Sequence, residues 1–447
     1  MKRIVFCFDG TWNALAGIPT NVVLTAASIK RRAENGIAQI IYYDEGVGTA
    51  WYDKYIGGMF GWGLLENVRE AYRYLIFNYD PGDEIFVFGF SRGAFSARTF
   101  VGLMRHVGPI RRLYSDQIDE AIKLYHERVK SADPSNEELH RFRAKCSGDV
   151  CIDANDDEWR SKNIPGYVKG SAPILRVKYL GVWDTVSALG VPQAFPGSAQ
   201  MNMNFRFHDP SVTDFIENAR HAVAIDERRV LFPPVLFGDL TALNEARDFK
   251  VDDENAPYQE RWFPGVHGSV GGGGDFRGLS DGALAWVLNG AKRAGLELDS
   301  ASGSRIQSIA PDPMSPVVNA KKPSTNPAYK WKTDRVGPDH LYQLSSSVIR
   351  RWKASREKLP ENRLYRPKTL TKVAKALDEY KLVAGTEVFE LLQDHVVQQG
   401  ETLSALAYKY YGHADKYKAI FDANRDTLDS PDDLFIGWTL HIPKLPE

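Results

Sequence analysis

Cysteine is scarce in this 447-residue chain: three occur, Cys7, Cys146 and Cys151. An odd, sparse set argues against a disulfide-stapled secreted scaffold and points to a reducing compartment. The Cys146 and Cys151 pair, in CSGDVC, has no second ligand pair at metal-like spacing nearby, so no metal site is expected there. Net charge is equally scant. With 56 basic and 57 acidic residues the balance is −1, and no global field steers nucleic acid or an anionic membrane toward the protein. No uncharged apolar run approaches the roughly 18 residues that a bilayer span needs, so no transmembrane segment is expected. The opening MKRIVFCFDGTWN starts a strand by residue 3 and leaves no room for a Sec signal peptide. The expectation is cytoplasmic synthesis, with export as a folded protein left open.

What the chain does have is apolar material for a large core, 43% hydrophobic residues against 25% charged. Its length suggests a large domain with smaller pieces attached. The short β-prone runs Arg3 to Phe8, AQIIYYDEG and EIFVFGF alternate with helical patterns at Asn21 to Ala33, Leu64 to Phe77 and the stretch after Ser91. That rhythm indicates a parallel α/β sheet. Residues 109–172 read as an insertion over the sheet. A further strand, 175–186, ends near Asp184; a helix is expected over 212–226, and another, LSDGALAWVLNGAKRAG, closes the catalytic region near 296. Residues 297–384 read as linker or wrapping segment followed by short basic helical patterns. Residues 385–447 change character again, with strand, helix, helix, strand in a fifty-residue core.

Gly89-Phe90-Ser91-Arg92-Gly93 has the G-x-S-x-G form in which a serine sits on a tight turn between an apolar strand and a helix. Side chains at the flanking positions would collide there, and Ser91 must take a strained backbone conformation that lifts its hydroxyl out of the sheet. A serine nucleophile needs a histidine base, and the base a carboxylate that fixes its tautomer. Asp184 ends one strand, with Asp226 as its rival. His267 follows WFPGV in a glycine-rich setting, with His208 in a loop and His221 in a helical pattern as competitors. The order Ser91, Asp184, His267 is that of an α/β-hydrolase. An oxyanion hole would draw on the backbone N–H of Arg92 and on that of Gly10 or Thr11. Asp9 is expected to order the first turn through its carboxylate, and His221 to sit behind the triad. This chemistry requires no cofactor.

FDGTWN, GFSRGAFSAR, GVWDTV, ARHAVAIDERR and WFPGVHGSVGGG, in this order, resemble the bacterial α/β-hydrolase family that includes the type VI secretion phospholipase effectors, over about residues 1 to 295. The resemblance implies Ser91 as nucleophile, Asp184 as acid and His267 as base. One departure stands out: the family histidine often precedes Ser-Asp-Val, where this chain has Gly268-Ser269-Val270. HVVQQGETLSALAYKYYG, ANRD and LFIGWTLHIP resemble a LysM domain, which implies N-acetylglucosamine-containing glycan bound through Gly400, Glu401, Thr402 and Leu403 and the loop before the last strand. Variants of that module also dock secretion-machinery proteins.

The leading expectation is hydrolysis of a phospholipid or other lipid ester, with Tyr52, Tyr55, Ile56, Met59, Phe60 and Trp62 as a candidate acyl groove. A short-chain or cell-envelope carbohydrate esterase would use the same triad. VFCFDGT superficially resembles the strand of aspartate-nucleophile phosphatases, but Cys7 stands where the nucleophile would be. A non-catalytic scaffold that works through the LysM-like piece is the alternative from a different class.

Overall fold

The computed structural model describes residues 1–10, 18–46, 59–128, 137–187, 211–299, 304–320, 331–380, 391–424, 428, 430–432, 434 and 436–445. Strand β1 (Arg3–Phe8) and helix α1 (Asn21–Ser28) lead to β2 (Gln39–Asp44), α2 (Met59–Asn78) and β3 (Glu84–Phe90). Helix α3 (Arg92–Val107) starts directly after β3, and β4 (Val177–Trp183), β5 (Ala219–Ala224) and β6 (Tyr258–Phe263) complete a sheet in the order β2-β1-β3-β4-β5-β6. Every neighbouring pair is parallel. The chain leaves β1 for β2 on one side and β3 on the other, so the strand order reverses between β1 and β3. At such a point the carboxyl ends of the strands open a crevice.

Two apolar layers cover the sheet, and β1 shows how one strand serves both. Ile4, Phe6 and Phe8 face a core shared with α2 and α3, while Val5 and Cys7 face one built with α1 and the long helix Gly278–Arg293. A strand buried on both faces loses its polar alternation and reads as a continuous apolar run. β5 is a second case, with all six residues of ARHAVA buried as are all six of β1. The expected helix over 212–226 is therefore corrected: a turn closed by Ile216 N–H to the Thr213 carbonyl precedes a strand. Tertiary burial between β4 and β6 decides the conformation, and His221 sits on a strand.

Between α3 and β4 the 109–172 stretch is mainly helical, with helices at Ile118–Arg128, Glu137–Cys146 and Ala154–Asn163. Its interior charge is paired: the buried Asp156 carboxylate accepts from Arg143 at 3.0 Å and from Arg160 at 2.8 Å. Beyond the long helix, residues 304–320 and 331–380 form no free tether. Val317, Leu344, Val348, Trp352, Tyr365 and Leu370 build a third apolar cluster with Val223, Ile225, Trp262 and Leu279. Leu344 bridges to Trp262 in parallel sense, and Ser345 N–H donates to the Trp262 carbonyl at 2.9 Å, which covers the outer edge of β6.

The C-terminal piece pairs β7 (Leu391–Val396) antiparallel with β8 (Thr439–Pro443) around helices Leu403–Tyr411 and Tyr417–Ala423. Leu403, Leu406, Ile420, Trp438, Leu440 and Ile442 fill its core. Among the described residues, no helix is long and apolar enough to cross a membrane.

The crevice depends on a close backbone approach. A Cβ on Gly93 would lie 2.2 Å from the Asp9 carbonyl oxygen and 2.4 Å from that of Phe8. Gly93→Ala should cost about 3 kcal/mol in urea denaturation. In the long helix, by contrast, the nearest atom to a Cβ on Gly282 would be Pro311 Cβ at 3.9 Å, so Gly282→Ala should be neutral or stabilise by up to about 1 kcal/mol. Equal midpoints for the two variants would refute the tight contact at β1.

Candidate active site

Ser91 occupies the turn between β3 and α3 with φ 61 and ψ −126, a conformation that L-residues avoid. Its flanking glycines permit it, since a Cβ on Gly89 would lie 2.6 Å from Ala94 Cα. The amide of Ser91 donates to the Trp183 carbonyl at 3.0 Å, which ties the turn to the end of β4. Its side chain is thereby held at the carboxyl edge of the sheet, and the residue is only 5% exposed.

Two later segments converge on it. His267 opens the short helix His267–Gly271, four residues past the end of β6, and Asp184 follows β4 directly with φ 36, also left-handed. Ser91 Oγ lies 2.8 Å from His267 Nε2, and His267 Nδ1 lies 2.5 Å from Asp184 Oδ2. An ionised carboxylate can only accept, so Nδ1 carries the proton, and Nε2 is left to accept from the serine hydroxyl. The imidazole packs against Phe90 at 4.6 Å and Phe232 at 4.9 Å between ring centroids. The glycine run after it is sterically required at Gly271, where a Cβ would fall 1.9 Å from the Phe90 ring.

Asp184 is fully buried. Burial alone would raise its carboxyl, but the charge of Arg335 and the hydrogen bond from His267 overcome that and hold it well below the usual carboxylate range. Arg335 donates from Nη1 to Oδ1 at 2.6 Å and from Nη2 to Oδ2 at 3.0 Å, and Ala224 N–H donates to Oδ1 at 2.9 Å. For His267, burial lowers the imidazole below its ordinary value, more than the bond to Asp184 raises it.

The other sequence candidates fall around this line. Asp226 does not reach the imidazole; it accepts from Gly265 N–H at 2.7 Å and the Tyr365 hydroxyl at 2.8 Å, and so holds the turn before His267. His221 lies beneath Asp184: its Nε2 accepts from Thr185 N–H at 3.1 Å and its Nδ1 donates to Glu260 at 2.8 Å. Burial keeps this ring below its ordinary value. Arg92 heads α3, where helix N–H groups point outward. The Gly10 N–H donates to Asp9 Oδ1 at 2.6 Å. Asp9 Oδ2 also takes the Thr20 and Tyr43 hydroxyls at 2.7 and 2.8 Å. Thr11, His208, Tyr52, Tyr55 and Ile56, and the side chains of Met59, Phe60 and Trp62, lie outside the described residues.

In the C-terminal piece Gly400 and Glu401 follow β7, but three of the expected contact residues are used internally. Leu403 is buried in the core, and the Glu401 carboxylate accepts from His395 at 2.6 Å and from Gln398 N–H at 2.7 Å. Thr402 caps the following helix, accepting from Ala405 N–H. Among the described residues no cluster of three or more His, Cys, Asp or Glu side chains is arranged to hold a metal ion.

A parallel sheet of this order, with a serine on the β3–α3 turn and a histidine and an aspartate bonded to it in series, defines an α/β hydrolase. The chain belongs to the T6SS phospholipase effector Tle1-like family, whose catalytic-domain model matches residues 2–290, and residues 395–443 match the LysM domain. Uncharacterized protein YEL023C of Saccharomyces cerevisiae is 24% identical over 253 residues, 53% of this chain and 33% of that protein. Potassium binding protein Kbp of Escherichia coli is 44% identical over 52 residues, 12% of this chain and 35% of that protein. Among solved structures, an uncharacterized protein from Pseudomonas aeruginosa aligns at 20% identity and TM-score 0.35, covering 67% of this chain and 46% of that one. The Tle1 effector bound to the VgrG spike aligns at 20% identity and TM-score 0.31, covering 61% and 51%. The chain thus spans about a third of the curated relatives and about half of the solved structures.

Asp9 satisfies three donors in a buried turn. Asp9→Ala should therefore lower the free energy of unfolding by about 3 kcal/mol, measured by urea denaturation, through donors left without a partner. A loss below about 0.5 kcal/mol would show that water replaces the carboxylate.

Proposed function

We propose that this chain hydrolyses acyl esters of phospholipids through Ser91, His267 and Asp184. The observation that carries the reading is the unbroken series Ser91 Oγ to His267 Nε2 at 2.8 Å and His267 Nδ1 to Asp184 at 2.5 Å, on a nucleophile turn with φ 61. His267 takes the hydroxyl proton as Ser91 attacks the ester carbonyl, and returns it to the departing alcohol. Water, deprotonated in turn by His267, releases the fatty acid from the acyl-serine. Asp184 stabilises the imidazolium formed on the way. The N–H of Arg92, at the start of α3, is assigned one place in the oxyanion hole, and that of Gly10 or Thr11 the second.

The LysM piece is read as the recruiting arm. Its partner is either an N-acetylglucosamine-containing glycan of the cell envelope or a protein of the secretion machinery, in the manner named for the Tle1 effector on its VgrG spike. Delivery out of the producing cell by a contact-dependent system follows from the same reading. Binding of the full chain to purified sacculi, set against binding to a spike protein, separates the two partners.

Treatment with a fluorophosphonate should label Ser91, and Ser91→Ala should lose both the label and phospholipid hydrolysis by at least about 10³-fold. Well-folded protein that takes no label would sink the hydrolase reading in favour of a scaffold. The base works only when neutral, so activity is present above the imidazole pKa of the folded enzyme and is lost as pH falls through it. Because burial lowers that pKa from 6.5, the acid limb of kcat/KM should have its midpoint below pH 6.5. A midpoint above 6.5 would show that the buried imidazole is not the group that titrates.

A further inference from the structure

Arg335 lies beyond residues 2–290, in a stretch rich in proline, serine, lysine and asparagine, yet it is buried against the triad. Its two terminal nitrogens reach four acceptors: both oxygens of Asp184, at 2.6 and 3.0 Å, and the carbonyls of Ala224 and Phe232, each at 2.8 Å. The backbone that carries it is fixed. Lys332 bridges antiparallel to Arg229, Thr333 N–H donates to the Arg228 carbonyl at 2.8 Å, and Asp334 pairs with Arg228 at 2.7 Å. Just beyond, Gly337 lies so close to the Thr369 carbonyl that a Cβ would fall 1.7 Å from it.

A planar guanidinium bonded in parallel to both carboxylate oxygens fixes the plane of that carboxylate as well as its charge. We propose that Arg335 is a positioning residue of the triad, orienting Asp184 toward His267 Nδ1 and setting the pH range over which His267 is a neutral base; this rests on the triad acting as proposed above. The charges around His267 allow the second part. Asp184 favours the imidazolium and Arg229 opposes it; Arg335, bonded to both oxygens of Asp184, offsets the carboxylate's influence from behind. Glu227, whose Oε2 accepts from the backbone N–H of His267 at 3.2 Å, is itself paired with Arg229 at 2.7 Å. His221, the remaining titratable ring beside Asp184, is held below its ordinary pKa by burial. Of the two cations near the imidazole, Arg335 is the one bonded to its carboxylate.

The test uses the full chain and the second-order rate of fluorophosphonate labelling of Ser91 as a function of pH. Arg335→Gln removes the charge and the fork. The midpoint of its acid limb should rise by about one unit, because one of the two cations that oppose the imidazolium is gone, and its plateau should fall about tenfold because Asp184 is less well held. Arg335→Lys keeps the charge without the fork, so its midpoint should stay near wild type while its plateau falls. An unshifted midpoint in Arg335→Gln, or an undiminished plateau in both variants, overturns the inference. If Arg335→Gln does not fold, Arg335→Lys decides alone: an unmoved midpoint with a reduced plateau supports the assignment, and a wild-type profile defeats it. Wild-type protein without label, or label retained by Ser91→Ala, would sink the triad reading and this inference with it, a result distinct from a normal wild-type profile with unaffected Arg335 variants.

Discussion

The first turn of α3 lies against the carbonyls of Phe8 and Asp9 at a distance that admits no Cβ at position 93. From this contact the rest of the site takes its coordinates. It sets the β3–α3 turn against the end of β1, where Ser91 has positive φ and its hydroxyl lies at the edge where the later strands also end. β4 and β6 then need only deliver a carboxylate and an imidazole to the same edge. Asp184 does so with a second left-handed backbone, so two of the three proposed catalytic residues carry local strain that the surrounding sheet holds in place.

Electrostatics close the arrangement from the far side. A carboxylate removed from water costs several kcal/mol unless its charge is met, and here it is met by three kinds of donor: an imidazole N–H, a backbone amide and a guanidinium. One layer further out, His221 and Glu260 tie the amide of Thr185 to the loop amide of Phe237, which accounts for a neutral histidine deep in a strand. The polar groups behind the site therefore form a connected set, in which Thr185 Oγ1 and Arg335 Nε are left without a hydrogen-bond partner among the described residues.

Much of this was legible in the sequence, and what was not has a physical reason. Gly89, Ser91 and Gly93 are readable because their requirement is local: a turn of this shape excludes side chains at fixed offsets. Asp184 and His267 are readable because parallel strands gather their ends. β5 was mistaken for a helix because ARHAVA is buried on both faces, and its spacing of alanine and valine suits either period. The same error put His221 on the wrong element. Arg335 carried no signal, since an arginine in an aperiodic stretch finds its partner 151 residues away. Only the fold makes them neighbours.

The covered edge of β6 has a consequence for how the chain can be handled. A parallel sheet that ended at Trp262 would present unpaired carbonyls and amides beside the apolar surface of Val223, Ile225 and Leu279. Leu344 and Ser345 occupy that edge, and the residues around them cover that surface. A recombinant fragment cut at the end of the long helix would expose a sticky strand and a greasy flank together, and would self-associate in concentrated solution where the longer chain stays dispersed.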